Sequence, residues 1–390
     1  MMKIVAASDS FKDSVTSAEV AAALKEGIVE ASPQTDVVCL AVGDGGEGTA
    51  AVLLESLGGI RQTCTVSDPL GRKIMASYGI VTPRDGIDSY RTALIEMAET
   101  SGLQLLKYEE RNVMLTSSVG LGEMIRDAYE RGCRNFMVGI GGSATCDAGT
   151  GLLSVLGFRF LNSRGEVLTP SGRMLTEISS IDDSHIDSNI LNCRFTIICD
   201  VTNPLFGKHG AAYVYAPQKG ASPEEVGVLD RGLINIARIV KGQTGRDVAS
   251  LPGAGAAGGI GWAFKSFFNA ELKSGVDAVL DLIGFDNFIE DADLVITGEG
   301  RIDSQTLSGK VPYGVCRRAK KAGVPVVAVA GTVESVPELL KAGFDGVFPI
   351  LTHPMTLAEA LTPQVTAANL KTVGASLATF LQIRPKNIKP

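Results

Sequence analysis

Five short segments of this chain carry residues whose types and spacing could do chemistry. They are Ser8-Asp9-Ser10-Phe11-Lys12-Asp13-Ser14, Gly43-Asp44-Gly45-Gly46-Glu47-Gly48, the stretch 139–149 containing Gly141-Gly142-Ser143-Ala144 and Asp147, Asp200-Val201-Thr202-Asn203-Pro204, and Gly298-Glu299-Gly300-Arg301-Ile302-Asp303 with Ser308-Gly309-Lys310 close behind. Each follows a run that reads as a β-strand, and in open α/β sheets ligands bind at strand ends. Glycines let backbone approach a ligand and free N–H groups. Carboxylates take a proton or hold Mg²⁺, and Lys and Arg neutralise phosphate. That set suits phosphoryl transfer, which depends on positioning and charge stabilisation more than on covalent chemistry. Only three histidines exist, His185, His209 and His353, so an aspartate is the expected proton acceptor.

Each segment also has a plainer reading. Asp9 or Asp44 can cap a following helix, and Gly141-Gly142 can be a tight turn rather than an anion site at a helix start. Gly309-Lys310 fails the phosphate-loop pattern, because Ser304 stands where its first glycine belongs and Val311 follows the lysine. Two stretches resemble dinucleotide fingerprints. Gly139-x-Gly141-x-x-Ala144 is a loose match. Gly253-x-Gly255-x-x-Gly258 matches literally but follows Pro252 and no clear strand.

Composition narrows the classes. The chain has 390 residues with 45 glycines, and its formal charge is −7 from 36 basic and 43 acidic residues. Glycine is thus well above the usual ~7%. The negative balance lacks the footprint of a nucleic-acid binder. Seven cysteines without a C-x-x-C spacing read as reduced thiols. With no signal-peptide core and no apolar run of membrane length, the expectation is a cytoplasmic protein without membrane contact.

The elements that must position these residues alternate at both ends of the chain. Strands are expected at 3–7 and 36–42 and helices at 16–31 and 48–57, a βαβα start that implies parallel pairing. Thr16 and Glu19 stand in capping-box spacing. Two short strands flank the turn Asp68-Pro69-Leu70-Gly71. The middle suggests strands at 93–97, 135–140, 158–161, 195–199 and 212–216, with helices at 118–131, 223–243 and 259–269. Strands return at 293–297, 324–330 and 346–350, with helices at 311–322, 335–342 and 363–381. The tail 384–390 reads as frayed. This pattern predicts two α/β domains with a cleft between them, a discontinuous parallel-sheet domain from 1–82 plus 291–390 and an inserted mixed-sheet domain over 83–290.

At these segments the sequence resembles the bacterial-type (type I) glycerate kinases, over roughly residues 2–381. Beside the five segments, the resemblance rests on Asp68-Pro69-Leu70-Gly71-Arg72, Thr116-Ser117-Ser118-Val119-Gly120 and Gly255-Ala256-Ala257-Gly258-Gly259. It implies an ATP- and Mg²⁺-dependent kinase acting on D-glycerate, with 2-phosphoglycerate as product, and a Rossmann-like discontinuous domain. Combined with the residue chemistry, it assigns Ser10, Phe11, Arg72, Glu299, Arg301 and Lys310 to the substrate and Lys12 to charge neutralisation. Asp200 is the first choice as base, with Asp303 and Asp44 behind it. Gly141, Gly142, Ser143, Ala144, Asn203, Gly258 and Gly259 are assigned to nucleotide phosphates. Asp147 and Asp44 are assigned as outer Mg²⁺ ligands. A homodimer, 3-phosphoglycerate as product, a sugar-acid-binding protein and an NAD-dependent dehydrogenase stay open at this point.

Overall fold

The computed structural model describes residues 1–46, 49–82 and 90–382. Glu47, Gly48 and the expected frayed tail lie outside the described residues. The strands are, in chain order, β1 (Lys3–Ser8), β2 (Asp36–Ala41), β3 (Ile60–Ser67), β4 (Lys73–Val81), β5 (Arg91–Glu96), β6 (Cys133–Gly139), β7 (Arg159–Leu161), β8 (Ser180–Asp182), β9 (Arg194–Ile198), β10 (Glu271–Lys273), β11 (Leu294–Ile302), β12 (Val326–Val333) and β13 (Gly346–Pro349). The chain forms two compact units, Met1–Leu57 with Val276–Pro390, and Gly58–Gly275.

The first unit is built on a five-stranded sheet in the order β13-β12-β11-β1-β2, parallel throughout. Its three inner strands, β1, β11 and β12, are rich in Val, Ile and Ala and largely buried on both faces, as the middle of a parallel sheet requires, while the edge strands β2 and β13 are partly exposed. On one face Ile4, Ala6, Leu294, Ile296 and Val329 form a core with Leu24 and Ile28 of helix Ser17–Ala31 and Leu370 of helix Pro363–Leu381. These two helices meet at glycine. A Cβ on Gly27 would sit 1.9 Å from the Lys371 carbonyl oxygen, and one on Gly374 2.6 Å from that of Leu24. Thr16 and Glu19 form the expected capping box at the first helix. The helix Val311–Lys321 packs on β11 and β12.

The second unit is built on a six-stranded sheet in the order β10-β9-β6-β5-β4-β3. The β3–β4 and β4–β5 pairs are antiparallel and the rest parallel. Its core is aromatic at the centre, where Phe195 meets Phe136, Phe264 and Phe268.

The borders differ from the expected 82/83 and 290/291. The β3–β4 hairpin bonds to β5, so residues 58–82 belong with the mixed sheet. Helices Gly275–Leu282 and Phe285–Ile289 carry Asp277, Asp281 and Asp286, which all meet Arg318 of the first unit. The run 212–216, expected as a strand, is helical up to Tyr215, in the helix Ala211–Tyr215 that ends before Ala216. A five-residue apolar run cannot distinguish the two by period, and two alanines with Pro217 just beyond favour one helical turn. Among the described residues no helix is long and apolar enough to cross a membrane.

Candidate functional site

In the first unit a cavity of about 1070 Å³ opens at the carboxyl ends of β1, β2, β11 and β12. Parallel pairing brings these loops together, because every strand ends on the same edge of the sheet. Of the expected residues, Ser10, Phe11, Lys12, Asp44, Glu299, Arg301 and Lys310 all line this one cavity.

The β1 loop is tight. Phe11 bridges to Val15, and Asp13 takes the left-handed backbone at φ 63°. Phe11, expected as a substrate contact, is 3% exposed and belongs to the core of this unit. It anchors the loop from below, leaving Ser10 and Lys12 on the open side. Lys12 is exposed and has no ion-pair partner among the described residues. Asp9 follows the strand, its N–H donating to the Gly298 carbonyl at 2.9 Å. Its Oδ1 accepts from the Ser10 N–H at 2.7 Å and from the Ser10 hydroxyl at 3.4 Å. Burial lifts the Asp9 carboxyl to about 6. The Ser10 amide opposes this, and the charges of Asp44 and Glu299 add to it.

Glu299 is buried. It accepts from the Thr306 hydroxyl at 2.6 Å and from Lys310 Nζ at 3.2 Å. Burial raises its carboxyl, against the hydrogen bonds from Thr306 and Lys310. Lys310 is thereby held at the mouth of the cavity. Asp44 Oδ1 accepts from the Gly46 N–H at 2.8 Å in a turn where Gly45 has φ 84°. Arg301 is exposed and pairs with Glu334 at 3.0 Å and Asp303 at 3.3 Å. Asp303 caps the turn Ser304–Ser308 by accepting from the Gln305 N–H at 2.8 Å, so its carboxylate organises the loop.

The remaining expected residues lie in the second unit. Gly141 and Gly142 form an exposed turn after β6, with Gly142 at φ 68°. Ser143 is buried and accepts from Lys219 Nζ at 2.7 Å. Ala144 cannot present its N–H to a ligand, because it donates to the Ser101 carbonyl at 2.8 Å. Asp147 is fully buried. Its Oδ2 accepts from the Ser118 N–H and hydroxyl, both at 2.8 Å, and from the Gly151 N–H at 3.2 Å, while Oδ1 accepts from the Gly149 N–H at 3.0 Å. A carboxylate so committed ties the loop to its neighbours and does not fit an outer Mg²⁺ ligand.

Gly258 and Gly259 are buried, and their need for glycine has a packing cause. A Cβ on Gly258 would lie 2.1 Å from the Thr145 carbonyl oxygen and one on Gly259 2.8 Å from Ala148 Cα. A Cβ on Gly255 would likewise lie 2.2 Å from the Pro204 carbonyl oxygen. The literal Gly253-x-Gly255-x-x-Gly258 match is thus a packing motif, not a dinucleotide loop. Asn203 is a brace: its amide donates to the His209 carbonyl at 2.8 Å and accepts from the Tyr215 hydroxyl at 2.6 Å. Arg72 sits on the β3–β4 turn, bonded to Asp68 and to Glu110. Asp200 is exposed at the end of β9, with Oδ1 accepting from the Gly275 N–H at 3.2 Å. Among the described residues no group of three or more His, Cys, Asp and Glu is arranged to hold a metal.

The family model described as the glycerate kinase family matches residues 4–382. The chain belongs to the glycerate kinase family. It is 44% identical to the glycerate 2-kinase of Escherichia coli K12, over 92% of this chain and 93% of that protein. It is 42% identical to the glycerate kinase of Bacillus cereus, over 98% of each. The crystal structure of a protein assigned as glycerate kinase 2 from Salmonella typhimurium LT2 matches with a TM-score of 0.84 at 40% identity, over 98% of each chain.

Two residues of this glycerate kinase family chain stand out that the sequence did not place in a site. Asp9 lies inside a motif but reads equally as a helix cap. The cavity lining and its raised carboxyl separate the two readings. Lys219, in Pro217-Gln218-Lys219-Gly220, carries no site motif, yet it is 3% exposed. Nothing in the sequence signals its burial.

Proposed function

We propose that the chain transfers the γ-phosphoryl group of ATP to the 2-hydroxyl of D-glycerate, giving ADP and 2-phosphoglycerate. The observation that carries this reading is the first unit's cavity, which Lys12, Lys310 and Arg301 line together with Asp9. The cations suit a carboxylate substrate and a transferring phosphoryl group. Asp9 suits the proton acceptor, since a base works best with its pKa near the working pH, and burial holds Asp9 near 6. This moves the role from Asp200, whose exposed carboxylate lacks that burial, and from Asp303, which caps a turn.

The reaction then runs by position and charge. Lys12, Lys310 and Arg301 orient the substrate carboxylate, and Ser10 donates at the mouth of the cavity. Asp9 takes the hydroxyl proton as the oxygen attacks the γ-phosphorus. The exposed N–H groups of Gly141 and Gly142 are assigned to nucleotide phosphates. Mg²⁺ needs few protein carboxylates when it arrives on a nucleotide. Asp44, whose Oδ2 bonds to no described residue, would fit it, and the ion would supply neutralisation of phosphate charge. Reduced, unpaired cysteines and the absence of a membrane-length helix among the described residues support a cytoplasmic setting.

A coupled assay for ADP with MgATP and D-glycerate tests the reading. ADP formation should require both substrates. No ADP together with glycerate-dependent NAD reduction would overturn it in favour of a dehydrogenase.

A further inference from the structure

Lys219 ends the short turn Pro217–Lys219 and is 3% exposed. Its ammonium donates to Ser143 Oγ and to the Thr145 carbonyl oxygen, both at 2.7 Å. Burial pulls the lysine down to about 8, while neighbouring Cys146 and Asp147 act the other way. A buried charge is a poor way to stabilise a fold, since an apolar side chain of similar size does as well or better. The ammonium therefore has a reason other than packing, and both of its contacts lie in the loop that follows β6.

The hydrogen bond to Ser143 has a directional consequence. A hydroxyl that accepts from an ammonium keeps its own O–H to donate. No other described group bonds to Ser143 Oγ. Ser143 directly follows the exposed Gly141-Gly142 turn, so its proton is available to an anion held there. Further along the loop, Thr145 Oγ1 is buried with no partner. The lysine itself is held from behind. Asn203 fixes Tyr215 and the His209 carbonyl, the helix Ala211–Tyr215 leads into Pro217–Lys219, and Gly220 presses on the Arg111 carbonyl where a Cβ would lie 2.1 Å away.

We propose that Lys219 is a positioning residue for the nucleotide phosphates: its buried ammonium fixes Ser143 as a donor and holds the Gly141-Gly142 amides toward solvent. This rests on the reading of that turn as the phosphate site. The residue acts through Ser143 and Thr145 and need not touch the nucleotide.

Steady-state kinetics on the full chain test it, with Lys219→Met, Ser143→Ala, the double variant and Gly141→Val. Gly141 has open space at its Cβ position, so valine there probes the turn without disturbing Lys219. Lys219→Met should raise KM for MgATP about tenfold, the loss of one good donor. KM for D-glycerate should stay within about twofold, and the melting temperature should not fall. Ser143→Ala should act in the same direction, and Lys219→Met should add little to it, as residues acting in series are non-additive. If Gly141→Val raises KM for MgATP while Lys219→Met leaves it unchanged or raises both KM values alike, the turn binds nucleotide and Lys219 is only packing. If neither variant moves KM for MgATP, the phosphate reading of the turn falls and the proposal with it. Should Lys219→Met fail to fold, an unchanged KM for MgATP in Ser143→Ala overturns the proposal on its own.

Discussion

Asp9 and Asp147 show how one residue type serves opposite ends at the residue scale. Asp147 is surrounded by N–H and O–H donors and holds a loop together. Asp9 is desolvated by burial, with one oxygen bonded locally and the charges of Asp44 and Glu299 adding to the effect, so its charged form is disfavoured. The sign of the consequence is fixed. With a folded pKa near 6 and an ordinary value of 3.8, the folded chain binds more protons between those values than the unfolded chain. Stability therefore falls as pH rises from about 4 to about 6, by on the order of 1–3 kcal/mol. Asp9→Asn should raise the melting temperature at pH 7 and lower kcat by at least ~10²-fold. In the wild type, kcat should climb through an acid limb near pH 6. Asp200→Asn should lose much less activity. If Asp200→Asn collapses turnover while Asp9→Asn keeps it, the base is Asp200. Sequence alone could not choose, because both are single acids after strands, and desolvation exists only in the folded chain.

Elements decide which glycines matter. The strand-end loops were legible, since β-branched runs ending in glycine and acid are a local signal. The parallel sheet of the first unit followed from the βαβα rhythm. What failed was pairing across distance. The β3–β4 hairpin has no local mark saying that it bonds to β5 instead of to the sheet that precedes it in sequence. Gly258 and Gly259, assigned to nucleotide phosphates, have close packing contacts of the same long-range kind, because an approach to Thr145 or Ala148 is invisible to spacing. Gly258→Ala should test the packing role. It sets a methyl against the Thr145 carbonyl at a backbone φ of 69°. The expected loss is about 2–4 kcal/mol from overpacking and strain, read as a lower denaturant midpoint. Unchanged stability would return Gly258 to a ligand role.

For the whole molecule, both ends of the chain build the parallel-sheet unit, and the stretch 58–275 builds the mixed-sheet unit. A glycine-rich, histidine-poor composition fits this division of labour, with backbone turns and carboxylates where other enzymes use imidazoles. The three histidines are all exposed. In the reaction proposed above, the chain moves a phosphoryl group onto the secondary hydroxyl of D-glycerate. Phosphorus NMR of the reaction mixture, with proton coupling retained, reads this directly. Phosphate on the 2-oxygen neighbours one proton and on the 3-oxygen two. A new doublet should grow in step with ADP. A triplet would contradict the 2-position, and loss of ATP with no new phosphomonoester would contradict the kinase itself.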